Sequence, residues 1–128
     1  SRYIVSWDIS ISLDVSLVTG AAKQAQLIGI PAITNSDQGV QFTSHEYIAV
    51  WDPEKTKISM DGRGRAMDNI FTERLWRTIK YEEVYLKDYA TVREAKENIG
   101  AYIEFYNNRR RHQSLGYKTP TEIYYEGR

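Results

Sequence analysis

The chain has 128 residues, 41% hydrophobic and 27% charged, which fits a single soluble globular domain over 1–128. Its formal net charge is +0, so the overall balance selects neither a polyanionic nor a polycationic partner. Zero cysteines exclude disulfides and thiolate metal centres and fit a reducing, cytoplasmic setting, while no apolar run approaches the roughly 20 residues of a membrane span and no signal-peptide pattern opens the sequence.

Tyr3, Val5, Trp7 and Ile9 alternate with Ile4, Ser6 and Asp8, which predicts a strand with one drier face. Ser12 can cap a helix whose Leu13, Leu17, Ala21 and Ala25 recur every four positions, and Gly29 with Pro31 stops it. Ala32-Ile33-Thr34 predicts a short buried strand that delivers Asp37 to its C-terminal end. Ligand sites of open α/β sheets sit at such strand ends. Asp37-Gln38-Gly39 taken alone is a turn signal. Thr43 and Glu46 make a capping box for a short helix through Val50, which Trp51-Asp52-Pro53 ends. Lys57–Met60 predicts another short strand, and Asp61-Gly62-Arg63-Gly64-Arg65 a basic loop.

A helix follows over about 67–81. Phe71, Leu75 and Ile79 form its apolar stripe. Asn69, Glu73, Arg77 and Lys80 fall together on the opposite side. Glu73 thus faces away from the core with cations one and two turns on, an arrangement suited to phosphates arriving at a metal site. The plainer reading is an i, i+4 ion pair between Glu73 and Arg77. Thr91 and Glu94 open a last long helix to about Asn108, with Val92, Ala95, Ile99, Tyr102, Ile103 and Tyr106 buried. Arg109, Arg110 and Arg111 complement its C-terminal dipole, and together with His112 suggest phosphate contacts. His112 and His45 read as surface residues rather than metal ligands. Thr119-Pro120-Thr121-Glu122 caps a terminal turn. Residues 1–60 carry 4 basic and 6 acidic side chains and residues 61–128 carry 13 and 11, so a polyanion-facing surface belongs in the second half.

Asp37 and Glu73 enclose 35 residues, 38 to 72. A carboxylate at a strand end and a second on a later helix can share a divalent cation. Three stretches in order, Asn35 to Ser44, Asp68 to Glu73 and Tyr106 to Pro120, resemble the retroviral-integrase-like catalytic core of bacterial insertion-sequence transposases. That family is named for its Asp, Asp, Glu triad, and its second Asp and its Glu show the same 35-residue gap. The resemblance covers nearly the whole chain. It implies an α/β, ribonuclease-H-like fold with strand order 3-2-1-4-5. It also implies cleavage and joining of DNA with two Mg²⁺ (or Mn²⁺) ions held by Asp37 and Glu73. Arg63, Arg65, Asn69, Arg77, Lys80, Arg109, Arg110 and Arg111 would contact DNA, either transposon ends or target, and other transposase protomers would be partners.

The same comparison implies a departure. The family's first triad Asp lies on a first strand that has no counterpart here, and the strand over 3–9 would correspond to the third. The fold is therefore expected to be incomplete, lacking its first two strands, and the chain inactive alone. The gap would be closed by pairing the strand at 3–9 with the strand at 32–34, or by exchanging strands between copies. Two alternatives stand beside this reading: a non-catalytic DNA-binding or assembly remnant, and a generic α/β domain with structural carboxylates.

Overall fold

The computed structural model describes residues 1–12, 14–60 and 70–127. These form two compact units, Ser6–Arg77 and a second made of Ser1–Val5 with Thr78–Arg128.

In the first unit, helix α1 (Val15–Ile28) is followed by strand β1 (Ile33–Ser36), short helices α2 (Val40–Thr43) and α3 (His45–Ile48), and strand β2 (Lys57–Met60). The strands pair in parallel, Ile33 with Lys57 through Ser36 with Met60. Parallel strands need a long crossover, and α2 and α3 provide it. Tyr47 and Trp51 lie one helical turn apart and are buried with Ala22 of α1, with Val18, Phe42, Val50 and Ile58 packed around them. Phe42 meets Tyr47 edge-on at 5.2 Å between ring centres. Buried Thr56 donates its hydroxyl to the Pro31 carbonyl at 2.7 Å, and the Lys57 amide reaches the Ala32 carbonyl at 2.8 Å, which sets the register of the ladder.

Helix α4 (Ile70–Glu82) begins in the first unit, and its last residues, from Thr78, belong to the second. The second unit continues with a 3₁₀ turn (Val84–Leu86), helix α5 (Val92–Asn108), a second 3₁₀ turn (Gln113–Leu115) and helix α6 (Pro120–Tyr124). Its core comprises Ile79, Ala95, Tyr102, Ile103 and Tyr106, with Pro120 fully buried. Thr91 caps α5 through the Glu94 amide, while the Glu94 carboxylate reaches back to the Ala90 amide. Thr119 caps α6 as expected and with Glu122 forms a reciprocal box, with Pro120 at the first turn.

The motif from Tyr106 to Pro120 builds this unit. The buried Asn107 amide takes both main-chain groups of Ile4, accepting from its N–H and donating to its carbonyl, each at 2.9 Å. Tyr3 then stacks on Tyr124 at 4.5 Å. The Arg110 guanidinium grips Glu82 through two nitrogens, Nη2 at 2.6 Å and Nε at 2.9 Å, and Glu82 also accepts from the Tyr102 hydroxyl. His112 is 6% exposed, edge-on to Tyr106, with its main chain bridged to Lys118. Gly116, at φ 64°, turns the chain between them.

Several expectations change. Residues 3–9 carry no regular secondary structure. Strand propensity is realised only beside a ladder; here Asn107 holds the main chain of Ile4, and Ser6 donates its hydroxyl to the Ala21 carbonyl. Among the described residues β1 pairs only with β2, so the direct pairing of 3–9 with β1 is not formed. β1 itself alternates exposed and half-buried rather than being buried throughout. Helix α1 has Asp14, not Ser12, at its N-cap position, and Leu13 lies outside the described residues. Ser44, one residue beyond Thr43, caps α3, because Thr43 sits at the end of α2 and bonds back to Val40. Phe71 is 69% exposed, so the apolar stripe of α4 narrows to Ile70, Leu75 and Ile79. Val92 is exposed, and His112 is buried rather than at the surface.

Two tests follow from the second unit. Asn107→Ala strands both main-chain groups of Ile4, so urea unfolding should show a loss of about 1–3 kcal/mol. His112 is held below its ordinary 6.5 by burial, then by Arg110 and Arg2. A depressed histidine favours the folded state only while neutral, so this stability is present above 6.5 and is lost as pH falls through the folded value. The urea midpoint should drop as pH is lowered from about 7 to 5, and His112→Gln should flatten that drop.

Candidate metal and DNA site

Asp37 follows directly on β1, where the strand's C-terminal end leads into α2. Its carboxylate is exposed, and Oδ1 accepts from the Gly39 amide at 2.8 Å. The Ser36 hydroxyl donates to the Asp37 carbonyl at 2.9 Å, so the main chain at this corner is tied as well. Glu73 lies in the first described turn of α4 and is exposed. Acidic side chains in a first turn complement the helix dipole, which is its ordinary structural use. Described ion pairs join Glu83 to Lys87, Glu97 to Arg93, Glu82 to Arg110 and Glu126 to Lys118, and none of these four involves Glu73.

Both carboxylates belong to the Ser6–Arg77 unit. Carboxylate oxygens are the donors that Mg²⁺ takes, and Mg²⁺ is commonly held by one or two of them with water and substrate phosphate filling the other positions. The donor chemistry of Asp37 and Glu73 fits that cation. No group of three or more His, Cys, Asp or Glu able to hold a metal occurs among the described residues.

The cations divide into distinct environments. Arg77 and Lys80 are exposed on α4. Arg109 is exposed, its guanidinium 5.8 Å from the Phe105 ring centre. Arg110 is committed to Glu82, and this contact holds the Glu82 carboxyl below its usual range. Its Nη1 also lies 3.2 Å from His112 Nδ1, which must accept there because a guanidinium only donates. Arg111 donates through Nη1 to the Tyr117 carbonyl at 3.0 Å. Arg63, Arg65 and Asn69 lie outside the described residues.

The roles of Gly39, Glu82 and Asn107 escaped the sequence reading. Gly39 was legible only as half of a turn signal. Glu82 and Arg110, 28 positions apart, share no periodicity that could pair them. Asn107 offers its amide to a segment 103 positions away.

A family model described as an integrase core domain matches residues 54–120, more than half of the chain, including Glu73 and the motif from Tyr106 to Pro120. The transposase for insertion sequence element IS904 of Lactococcus lactis subsp. lactis is 34% identical over 127 residues, covering 96% of this chain and 50% of that protein. The putative transposase InsK for insertion sequence element IS150 of Escherichia coli K12 is 34% identical over 90 residues, covering 70% of this chain and 32% of its own length. The transposase for insertion sequence element IS629 of Shigella sonnei is 29% identical over 122 residues, covering 94% and 41% respectively. This chain thus spans half or less of the length of these relatives. Matched over more than half its length, the chain belongs to the integrase core domain family, and its relatives are transposases of bacterial insertion sequences.

Proposed function

We propose that these residues are part of the catalytic core of an insertion-sequence transposase that cleaves and joins DNA phosphodiesters, with Asp37 and Glu73 as two of its metal-holding carboxylates. The observation that carries this reading is the pair of exposed carboxylates, neither in an ion pair among the described residues, in one compact unit of an integrase-core chain. Mg²⁺ or Mn²⁺, two ions in the complete site, would supply activation of the attacking hydroxyl and stabilisation of the leaving oxygen. The chain's own residues hold and orient. Asp37 enters with one oxygen engaged by Gly39, and Glu73 enters exposed in the first described turn of α4. Arg77, Lys80, Arg109 and Arg111 would steady the phosphate backbone, contacts indifferent to base sequence. Arg63, Arg65 and Asn69 join them by their place in the family's pattern. Arg110 enters through its grip on Glu82 and, at most, a remaining N–H.

The fold of this core would be ribonuclease-H-like; the parallel pairing of β1 with β2 across a helical crossover supports that reading. Partners would be transposon-end and target DNA and other transposase protomers, in the cytoplasm.

The purified chain should bind Mg²⁺ weakly, lose that binding in Asp37→Asn, and show no DNA nicking in a supercoiled-plasmid assay. Robust nicking that Asp37→Asn abolishes would overturn the claim of inactivity. Binding to duplex DNA should weaken with salt, and Arg77→Ala should lower the slope of log affinity against log salt by about 1, uniformly across sequences. A slope unchanged by that substitution removes Arg77 from the DNA surface.

A further inference from the structure

We infer that Gly39 is a positioning residue for the Asp37 carboxylate, selected by the space that carboxylate occupies and not by the backbone; the inference rests on the reading of Asp37 as a metal ligand. At φ −58° and ψ 150°, Gly39 has a conformation open to any residue. A Cβ there, however, would stand 2.9 Å from Asp37 Oδ1, 3.5 Å from Gln41 Oε1 and 3.6 Å from the Phe42 ring. The first distance is one that Cβ atoms do not tolerate, and the group met is the carboxylate oxygen that the Gly39 amide binds at 2.8 Å. A side chain at 39 therefore displaces the Asp37 carboxylate and breaks the hydrogen bond it accepts from the Gly39 amide.

The amide that does the holding is itself fixed. The Gly39 carbonyl accepts from the Phe42 and Thr43 amides, at 3.0 and 3.2 Å, as the cap of α2. Phe42 is packed against the buried cluster of Ala22, Tyr47 and Trp51. A continuous path thus runs from the hydrophobic core through Phe42 and Gly39 to one oxygen of an otherwise exposed aspartate. Binding Oδ1 fixes the rotamer and leaves Oδ2 for a ligand. Partners that orient a metal-binding side chain in this way act on affinity without touching the ion.

Three proteins decide it: the wild type, Gly39→Ala and Asp37→Asn. Mn²⁺ affinity is read by titration, the Gly39 amide in the wild type and Asp37→Asn by hydrogen exchange, and folding by urea midpoint. Gly39→Ala should weaken Mn²⁺ binding about tenfold, the low end for loss of an orienting partner, with the midpoint unchanged. Asp37→Asn should lose Mn²⁺ binding yet keep its Gly39 amide protected, because the side-chain carbonyl still accepts. Equal Mn²⁺ affinity in wild type and Gly39→Ala overturns the inference alone. A wild type that binds no Mn²⁺ overturns the reading of Asp37 as a ligand and the inference with it. An unprotected Gly39 amide in the wild type removes the hydrogen bond on which the inference stands.

Discussion

The grip of Arg110 on Glu82 is the constraint on which the second unit depends. It joins the end of α4 to the residues just past α5, and the Tyr102 hydroxyl closes on the same carboxylate from within α5. The pair is partly exposed, so its direct contribution to stability is on the order of 1 kcal/mol. Its larger effect is geometric. Two parallel N–H···O bonds fix direction as well as distance, and the neighbouring contacts need that alignment: Arg110 over Tyr106, His112 against both, and the return of the chain at Lys118.

The run Tyr106 to Pro120 therefore works first as a clasp. Four of its polar residues have structural partners: Asn107 has Ile4, Arg110 has Glu82, Arg111 has the Tyr117 carbonyl and Thr119 has Glu122. A cluster of arginines after a helix suggests a polyanion surface, yet two of these three are already spoken for by the protein. What remains for phosphates is Arg109 and whatever N–H groups its neighbours keep. A cationic residue that is oriented by protein contacts also loses less freedom on meeting a phosphate, so the two roles are compatible.

The first unit distributes its order differently. Its aromatic cluster is dry, while Asp37 and Glu73 stand in solvent. Exposed carboxylates carry no desolvation penalty, which leaves their charge available for a hard cation. Precision at Asp37 comes from main-chain groups tied to that cluster. Glu73 takes its place from α4.

The sequence alone determined the elements whose causes are local. The Thr91 and Thr119 caps, the strand at Lys57–Met60 and the stop at Gly29 all appear where residue chemistry places them, because capping and turning are settled within a few positions. Family membership was legible for a related reason: motifs such as the run from Tyr106 to Pro120, which lies in the matched range, are carried in one dimension. Tertiary structure decided what depends on a distant neighbour. The stretch at 3–9 has strand propensity but no ladder beside it, and its main chain is taken by an amide about a hundred residues away. His112 became interior, and Phe71 exterior, because burial depends on what packs alongside, which periodicity along a single segment does not contain.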